Sequence, residues 1–288
     1  MQALNIAKFG GTSLANYGAM GNCARIIAAN PDTKVVVVSA SAGVTNTLVT
    51  LAHSALTTSQ IAQHIDAIKQ IEFAILQALG SPPDIQDKLQ ALLDALQELA
   101  LHEELLHRPD LQDALLSHGE RMASLLFAEV LAQQGVIAQN FDVRKVLCTD
   151  SEYGQALPQL EQIAHLAKQL MAPELPAAVL VTQGFIGCDE QGNTTTLGRG
   201  GSDFTAALLA EALGAASCEI WTDVIGVYTT DPRIIDTARP IPELSFEEAA
   251  EMATFGAKVL HPATMEPALR KNIKVFVGSS REPEKGGN

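Results

Sequence analysis

Three short loops of glycine and small residues hold the side chains best suited to chemistry. The first is Lys8-Phe9-Gly10-Gly11-Thr12-Ser13 and the second is Ser39-Ala40-Ser41-Ala42-Gly43. The third is Leu197-Gly198-Arg199-Gly200-Gly201-Ser202-Asp203. Glycine lets a backbone approach a ligand closely. A helix starting behind such a loop offers unpaired N–H groups and the positive end of its dipole. Two of the loops also carry a cation, Lys8 or Arg199. Taken singly, each reads as well as an ordinary turn. Taken together, they suit a cradle for phosphate or carboxylate at the C-terminal edge of a sheet.

The individual side chains admit two readings each. Lys8 ends an apolar run, as a surface lysine would. It could instead be a compact ammonium aimed at a phosphate, where it would stabilise charge on a transferring group. Asp203 could satisfy backbone donors at a helix start, orient a lysine or hold a metal. Glu120 follows His118-Gly119 in a helical pattern and on its own reads as a solvated helix residue. Trp221-Thr222-Asp223-Val224, followed by Tyr228-Thr229-Thr230-Asp231-Pro232-Arg233, is a polar stretch behind a strand. It could hold an adenine or ribose, or be a hairpin with an Asp-Pro turn.

Several chemistries lose support. The chain has no G-x-x-x-x-G-K-[ST] loop and no Gly-Lys pair, and Gly198-Arg199-Gly200-Gly201 is not G-x-G-x-x-G. There is no G-x-S-x-G elbow for a serine hydrolase. The seven histidines show no metal-ligand spacing, and His102 and His107 are five apart on a helix. The four cysteines, Cys23, Cys148, Cys188 and Cys218, contain no C-x-x-C pair and read as reduced thiols. No metal site of the protein's own is expected.

The elements that must position these loops alternate between strand and helix, which argues for an α/β protein. Leu4–Phe9, Lys34–Ser39, Ala178–Gln183, Glu219–Thr222, Val224–Tyr228 and Ile273–Val277 read as strands. Their apolar runs lack polar alternation, as in a mostly parallel sheet covered on both faces. Helical periodicity marks Asn16–Ala29, Asn46–Ala55, Ile61–Leu79, Asp84–Leu106 and Ala114–Gln133. It returns at Leu160–Leu170, Phe204–Leu213, Phe246–Phe255 and Pro262–Lys271, with a capping box at Ser245-Phe246-Glu247-Glu248. Residues 60–134 are helix after helix and read as an insertion over one lobe.

With 288 residues, the chain suits one large domain or two closely packed lobes. Its composition, 47% hydrophobic and 18% charged, is that of a globular protein. A net charge of −14 disfavours nucleic acid and anionic membrane surfaces as partners. No signal peptide or membrane span is read, so a cytoplasmic location is expected.

Seven segments carry a resemblance. They are KFGGTS at Lys8–Ser13, SASAGVTN at Ser39–Asn46, SHGE at Ser117–Glu120 and TQGFIG at Thr182–Gly187. TTTLGRGGSDFTAALLAEAL at Thr194–Leu213, WTDVIGVYTTDPR at Trp221–Arg233 and EMATFGAKVLHPAT at Glu251–Thr264 complete them. In this order they resemble the aspartokinases, and most closely the lysine-sensitive type. The resemblance implies the amino-acid kinase (carbamate kinase-like) fold, a three-layer α/β/α sandwich spanning residues 1–280. The N-terminal lobe would hold L-aspartate. A C-terminal lobe at about 195–280 would hold ATP, bound with Mg²⁺ as MgATP.

The implied reaction makes 4-phospho-L-aspartate, the first step toward lysine, threonine and methionine. By the same resemblance, Lys8 is the phosphate-stabilising lysine and Asp203 orients it. Thr45, Glu120, Arg199 and Ser202 become aspartate contacts. Phe9, Gly10, Gly11, Ser39, Thr222, Asp223, Tyr228, Arg233, Lys258 and Val259 join Lys8 as ATP contacts. Family members usually continue into regulatory ACT domains. Residues 281–288 read as a linker stub at that point, so lysine feedback is not expected. The family is compatible with a homodimer. Two other readings remain: a same-fold kinase for another small carboxylate, and a binding module without turnover.

Overall fold

Four consecutive valines, Val35–Val38, are completely buried although neighbouring side chains of a strand point to opposite faces. A strand with both faces apolar needs cover on both sides, and the chain supplies helices for each. The computed structural model describes residues 3–230, 235, 237–254 and 262–287. Among these, β1 (Asn5–Phe9), β2 (Thr33–Val38), β3 (Ala138–Phe141) and β4 (Val179–Gln183) come first in the main sheet. β5 (Ile186–Cys188) and β6 (Thr194–Thr196) form a separate antiparallel hairpin. β7 (Ser217–Thr222) and β8 (Lys274–Ser279) complete the main sheet. Its order is β3-β4-β2-β1-β7-β8, and every neighbouring pair is parallel.

The helices are α1 (Tyr17–Ala29), α2 (Val44–His53), α3 (Thr58–Ala78), α4 (Pro83–Ala100), α5 (Pro109–Leu116) and α6 (His118–Gln133). They are followed by α7 (Leu160–Leu166), α8 (Gly201–Leu213), α9 (Phe246–Thr254) and α10 (Pro262–Arg270). On one face Ala7, Phe9, Val36, Val38 and Val181 meet α1, α2, α3, α4 and α6 in a single apolar cluster. On the other, Ile6, Val35, Val37, Leu180 and Ile220 meet α7, α8 and α10. This is the three-layer α/β/α arrangement expected from the sequence, with a main sheet that is parallel throughout its described strands. Within the helical stretch, α6 lies directly on β3 and β4, while α3 and α4 pack against it.

Some elements differ from the expectation. Val224–Tyr228 is not a strand. β7 stops at Thr222, whose carbonyl is held by the N–H of Ser280, and beyond it Tyr228 makes only an isolated bridge to Pro240. The run Ala114–Gln133 is broken at Ser117, whose hydroxyl donates to the Ala114 carbonyl at 2.7 Å. The helix expected to reach Leu106 ends at Ala100, and Leu105–His107 forms a short 3₁₀ turn before Pro109. The capping box at Ser245 and Glu248 is present in both directions.

One buried acid belongs to this scaffold. Glu72 of α3 has no exposed surface. Its Oε2 accepts the Ser41 hydroxyl at 3.3 Å, and its Oε1 has no partner. Burial pushes its pKa up from 4.5 to about 8, and the single hydroxyl only partly opposes this. The folded state therefore keeps a proton that the unfolded chain gives up near pH 4.5. The associated stability is complete below that value and is lost as pH rises through about 8. Each unit of such a difference corresponds to about 1.4 kcal/mol. Glu72→Gln is expected to lose less stability than the parent between about pH 5 and about pH 9, as read from urea midpoints. Equal losses in both proteins would show that Glu72 is ionised within the fold.

Candidate active site

The parallel register brings four strand ends level. Phe9 lies opposite Val38 and Trp221, and Val38 lies opposite Gln183. The loops that follow β1, β2, β4 and β7 therefore emerge at one edge, the C-terminal edge of the sheet. Ligands of open α/β sheets gather at such an edge.

Close backbone approach holds these loops together. A Cβ on Gly11 would sit 2.8 Å from the Ala40 carbonyl oxygen, so the first loop rests on the second. A Cβ on Gly119 would sit 2.6 Å from that of Ala40, so the first turn of α6 also reaches the second loop. A Cβ on Gly184 would lie 2.5 Å from the Ser202 Cβ, which ties the end of β4 to the start of α8. Gly43 and Gly200 take φ of 89° and 75° just before α2 and α8. Other residues rarely adopt that conformation, and here it turns both helix N-termini toward the same space.

A cavity of about 250 Å³ lies there, lined by Lys8, Ser39, Thr45, Glu120, Ser202 and Asp203, with Phe185, Gly198, Gly200 and Gly201. Lys8 Nζ is 2.7 Å from Asp203 Oδ1, and the two side chains are 11% and 18% exposed. That oxygen accepts no well-aligned hydrogen bond, so charge more than direction holds the ammonium. Glu120 is 5% exposed. Its Oε1 accepts the Ala40 N–H at 3.1 Å. Burial pushes its pKa up to about 7, against the pull of the Ala40 N–H and of the Lys8 charge. The site thus pairs a fixed cation with an acid poised near neutrality, beside two helix N-termini. It can hold a small zwitterion or anion and place a phosphate against Lys8.

The remaining expected residues fall into groups. Gly10 and Gly11 lie beside the cavity, and a Cβ on Gly10 would be 3.6 Å from Lys8 Nζ. Only the backbone of Phe9 belongs to this edge. Its ring is fully buried and packs on Phe127 and Trp221, at centroid distances of 5.7 and 6.4 Å. Thr222 and Asp223 follow the end of β7, where the Thr222 hydroxyl donates to Asp223 Oδ1 at 3.2 Å. Neither they nor Tyr228 line the cavity. Arg199 is exposed in the loop between the lining residues Gly198 and Gly200. Arg233, Lys258 and Val259 lie outside the described residues.

Phe185 is a lining residue that sequence reasoning did not single out. It adopts φ 71°, unusual for a bulky side chain, and its N–H donates to the Thr205 hydroxyl of α8 at 3.1 Å. Its place directly behind β4 and Gly184 was the available signal. A larger cavity of about 650 Å³ lies between α1 and strands β7 and β8, and Trp221 is among its lining residues.

Residues 3–279 match the model of the amino acid kinase family. The chain is 51% identical to the lysine-sensitive aspartokinase 3 of Escherichia coli, over 100% of this chain and 64% of that protein. It is 39% identical to an aspartokinase of Chlamydia pneumoniae, over 98% of this chain and 61% of that one. The crystal structure of E. coli aspartokinase III in complex with aspartate and ADP superposes with a TM-score of 0.93 at 51% identity. That match covers 98% of this chain and 63% of the crystallised one. The chain thus spans just over three-fifths of the length of these relatives. With the family match reaching from the first described strand to the last, the chain belongs to the amino acid kinase family.

Proposed function

We propose that this chain carries aspartate kinase activity, moving the γ-phosphoryl group of ATP to the side-chain carboxylate of L-aspartate. The observation that carries this is the convergence of Lys8, Thr45, Glu120, Ser202 and Asp203 on one cavity the size of an amino acid. The E. coli relative solved with aspartate and ADP supports both ligand classes. In this reading residues 1–280 form the catalytic unit. Residues 195–280 serve the nucleotide, and the helices between about 60 and 134 cover the aspartate side. The enzyme would act in the cytoplasm.

The chemistry follows from the side chains. A carboxylate is already a competent nucleophile, so no general base is required. Aspartate would present its α-ammonium to Glu120 and its α-carboxylate to Arg199, with Thr45 and Ser202 fixing its orientation. Its side-chain carboxylate would then attack the γ-phosphorus in line, and ADP would leave. No covalent enzyme intermediate forms. Lys8, held by Asp203, and the N–H groups of Gly10 and Gly11 would stabilise the charge on the transferring group. Ser39 lies beside them. Thr222, Asp223 and Tyr228, with Arg233, Lys258 and Val259, would carry the rest of the nucleotide. Among the described residues no three carboxylate, histidine or cysteine side chains gather as a metal cage. Mg²⁺ would therefore enter on the phosphates of ATP, as part of that substrate.

The direct test is turnover of the purified chain with MgATP and L-aspartate, trapping acyl phosphate with hydroxylamine. Hydroxamate that depends on aspartate, and is not replaced by glutamate, is the expected result. A folded chain that binds ATP yet makes no hydroxamate would overturn the reading.

Lys8→Ala is expected to lower kcat by about 10²–10³-fold, the scale for removing one charge-stabilising group. Its far-UV circular dichroism should stay unchanged. Near-parental turnover in the folded variant would remove Lys8 from the phosphate.

Glu120 must be ionised to pair with the ammonium of aspartate. Its pKa near 7 therefore sets a pH dependence. The KM for aspartate should fall by about tenfold per unit as pH rises from about 5.5 to 7, then level off. The KM for ATP should not follow, and Glu120→Gln should give a flat, raised aspartate profile. A parental aspartate KM independent of pH in this window would dissociate Glu120 from the ammonium.

A further inference from the structure

A cavity of about 340 Å³ opens between α4, the junction of α5 and α6, and the segment that carries Arg144. It lies off the strand-end cavity, on another face of the same first turn of α6. His118 and Arg121 are three residues apart and share a helix face. Glu120 turns away from them toward Ala40.

Arg121 has no close counter-charge in this cavity, whose lining carboxylate, Glu98, is exposed. Arg144 also lines it but is held by Asp142 at 2.6 Å, and it donates to the Thr194 hydroxyl at 3.0 Å. Arg270, another partly buried arginine, is held by Glu211 at 2.7 Å. Arg121 is half-buried, yet among the described residues no carboxylate lies within 4.0 Å of it. Among the described residues its one side-chain hydrogen bond runs from Nη1 to His118 Nε2 at 3.4 Å. That imidazole cannot supply a counter-charge. Its Nδ1 faces the Ala114 carbonyl at 3.0 Å, which requires a proton there and leaves Nε2 as an acceptor. Burial and the charge of Arg121 pull the pKa of His118 down to about 4, so the ring is neutral. Burial first, and then Arg144, pull Arg121 down as well, with Asp142 opposing.

A partly desolvated guanidinium without a close counter-charge is costly, and it is unexpected in a chain of net charge −14. Its Nε and Nη2 form the fork that matches a planar oxoanion. The facing wall is made by Ala95, Leu99 and Ala114, while Glu98 and His102 stand exposed at the mouth.

We propose that this cavity is a second ligand site, for a small organic carboxylate. The guanidinium of Arg121 grips the carboxylate in bidentate fashion, and a short aliphatic stem lies on Ala95, Leu99 and Ala114. Inorganic phosphate shares the anionic chemistry but would leave that apolar wall uncovered.

The test is an NMR titration of the ¹⁵N-labelled chain, following the arginine Nε–Hε signals. The Arg121 signal is assigned by its loss in Arg121→Lys. Propionate should shift it to saturation, phosphate should do so only at higher concentration, and the neutral isostere propionamide should leave it in place. Propionate should also raise the thermal midpoint of the parent and of Arg199→Gln, but not that of Arg121→Lys. The midpoint comparison decides the matter if the guanidinium signal is broadened. An Arg121 signal that moves only as much as those of exposed arginines would overturn the site. So would a midpoint gain that survives in Arg121→Lys. Tighter binding of phosphate than of propionate would overturn the carboxylate assignment.

Discussion

The contact between Lys8 and Asp203 joins parts of the chain separated by nearly two hundred residues, the end of β1 and the first turn of α8. Everything around the site has to be in place for it to form. β1 must lie centrally in the sheet so that α8 can cross it. Gly184 must let α8 come against the end of β4. Gly200 must turn the loop so that Asp203 faces the strand rather than solvent. A partly buried ion pair contributes little net stability once its desolvation is counted. Its effect is one of placement. It holds an ammonium against the wall of the strand-end cavity.

Much of the architecture was legible because a doubly covered parallel strand leaves a plain trace. β1, β2, β4, β7 and β8 each coincide with an apolar run. The misreading of Val224–Tyr228 comes from the same rule, since those residues are apolar but, among the described residues, form only an isolated bridge, from Tyr228 to Pro240. β3, AQNF, escaped because it lies at the sheet edge and exposes Gln139 and Asn140, so no hydrophobic pattern marks it. The hairpin of β5 and β6 escaped because each strand has three residues. These are failures of local signal. Pairing partners, which local reading cannot see, decide such segments.

The site divides along similar lines. Residue types and glycine spacing already pointed to an anion cradle, and the three loops do converge. They could not disclose that Glu120, which alone reads as a solvated helix residue, would be buried beside Lys8. That follows from Gly119, which lets α6 settle against Ala40. Phe185 was equally hidden, because its role comes from a backbone conformation and not from its side-chain chemistry. Arg121 stands out only when its surroundings are known. In the sequence it is one basic residue among many, and in the fold no carboxylate of the described residues lies within 4.0 Å of it.

The alternation of β2 has a further consequence. Val35 and Val37 belong to one apolar cluster and Val36 and Val38 to the other, so this strand is a partition between two cores that never touch through it. Since all four side chains are valine, a slip of one residue would exchange equivalent groups between the two cores. Hydrophobicity alone would barely register such an error. The loop beyond the strand would register it at once, because Ser39 and Ala40 would each turn to the opposite face and Ala40 would no longer meet Gly119. The fidelity of the strand is therefore guarded by its polar end and not by its greasy middle. A molecule misthreaded here could be as dense as the native one and still lack a binding cavity.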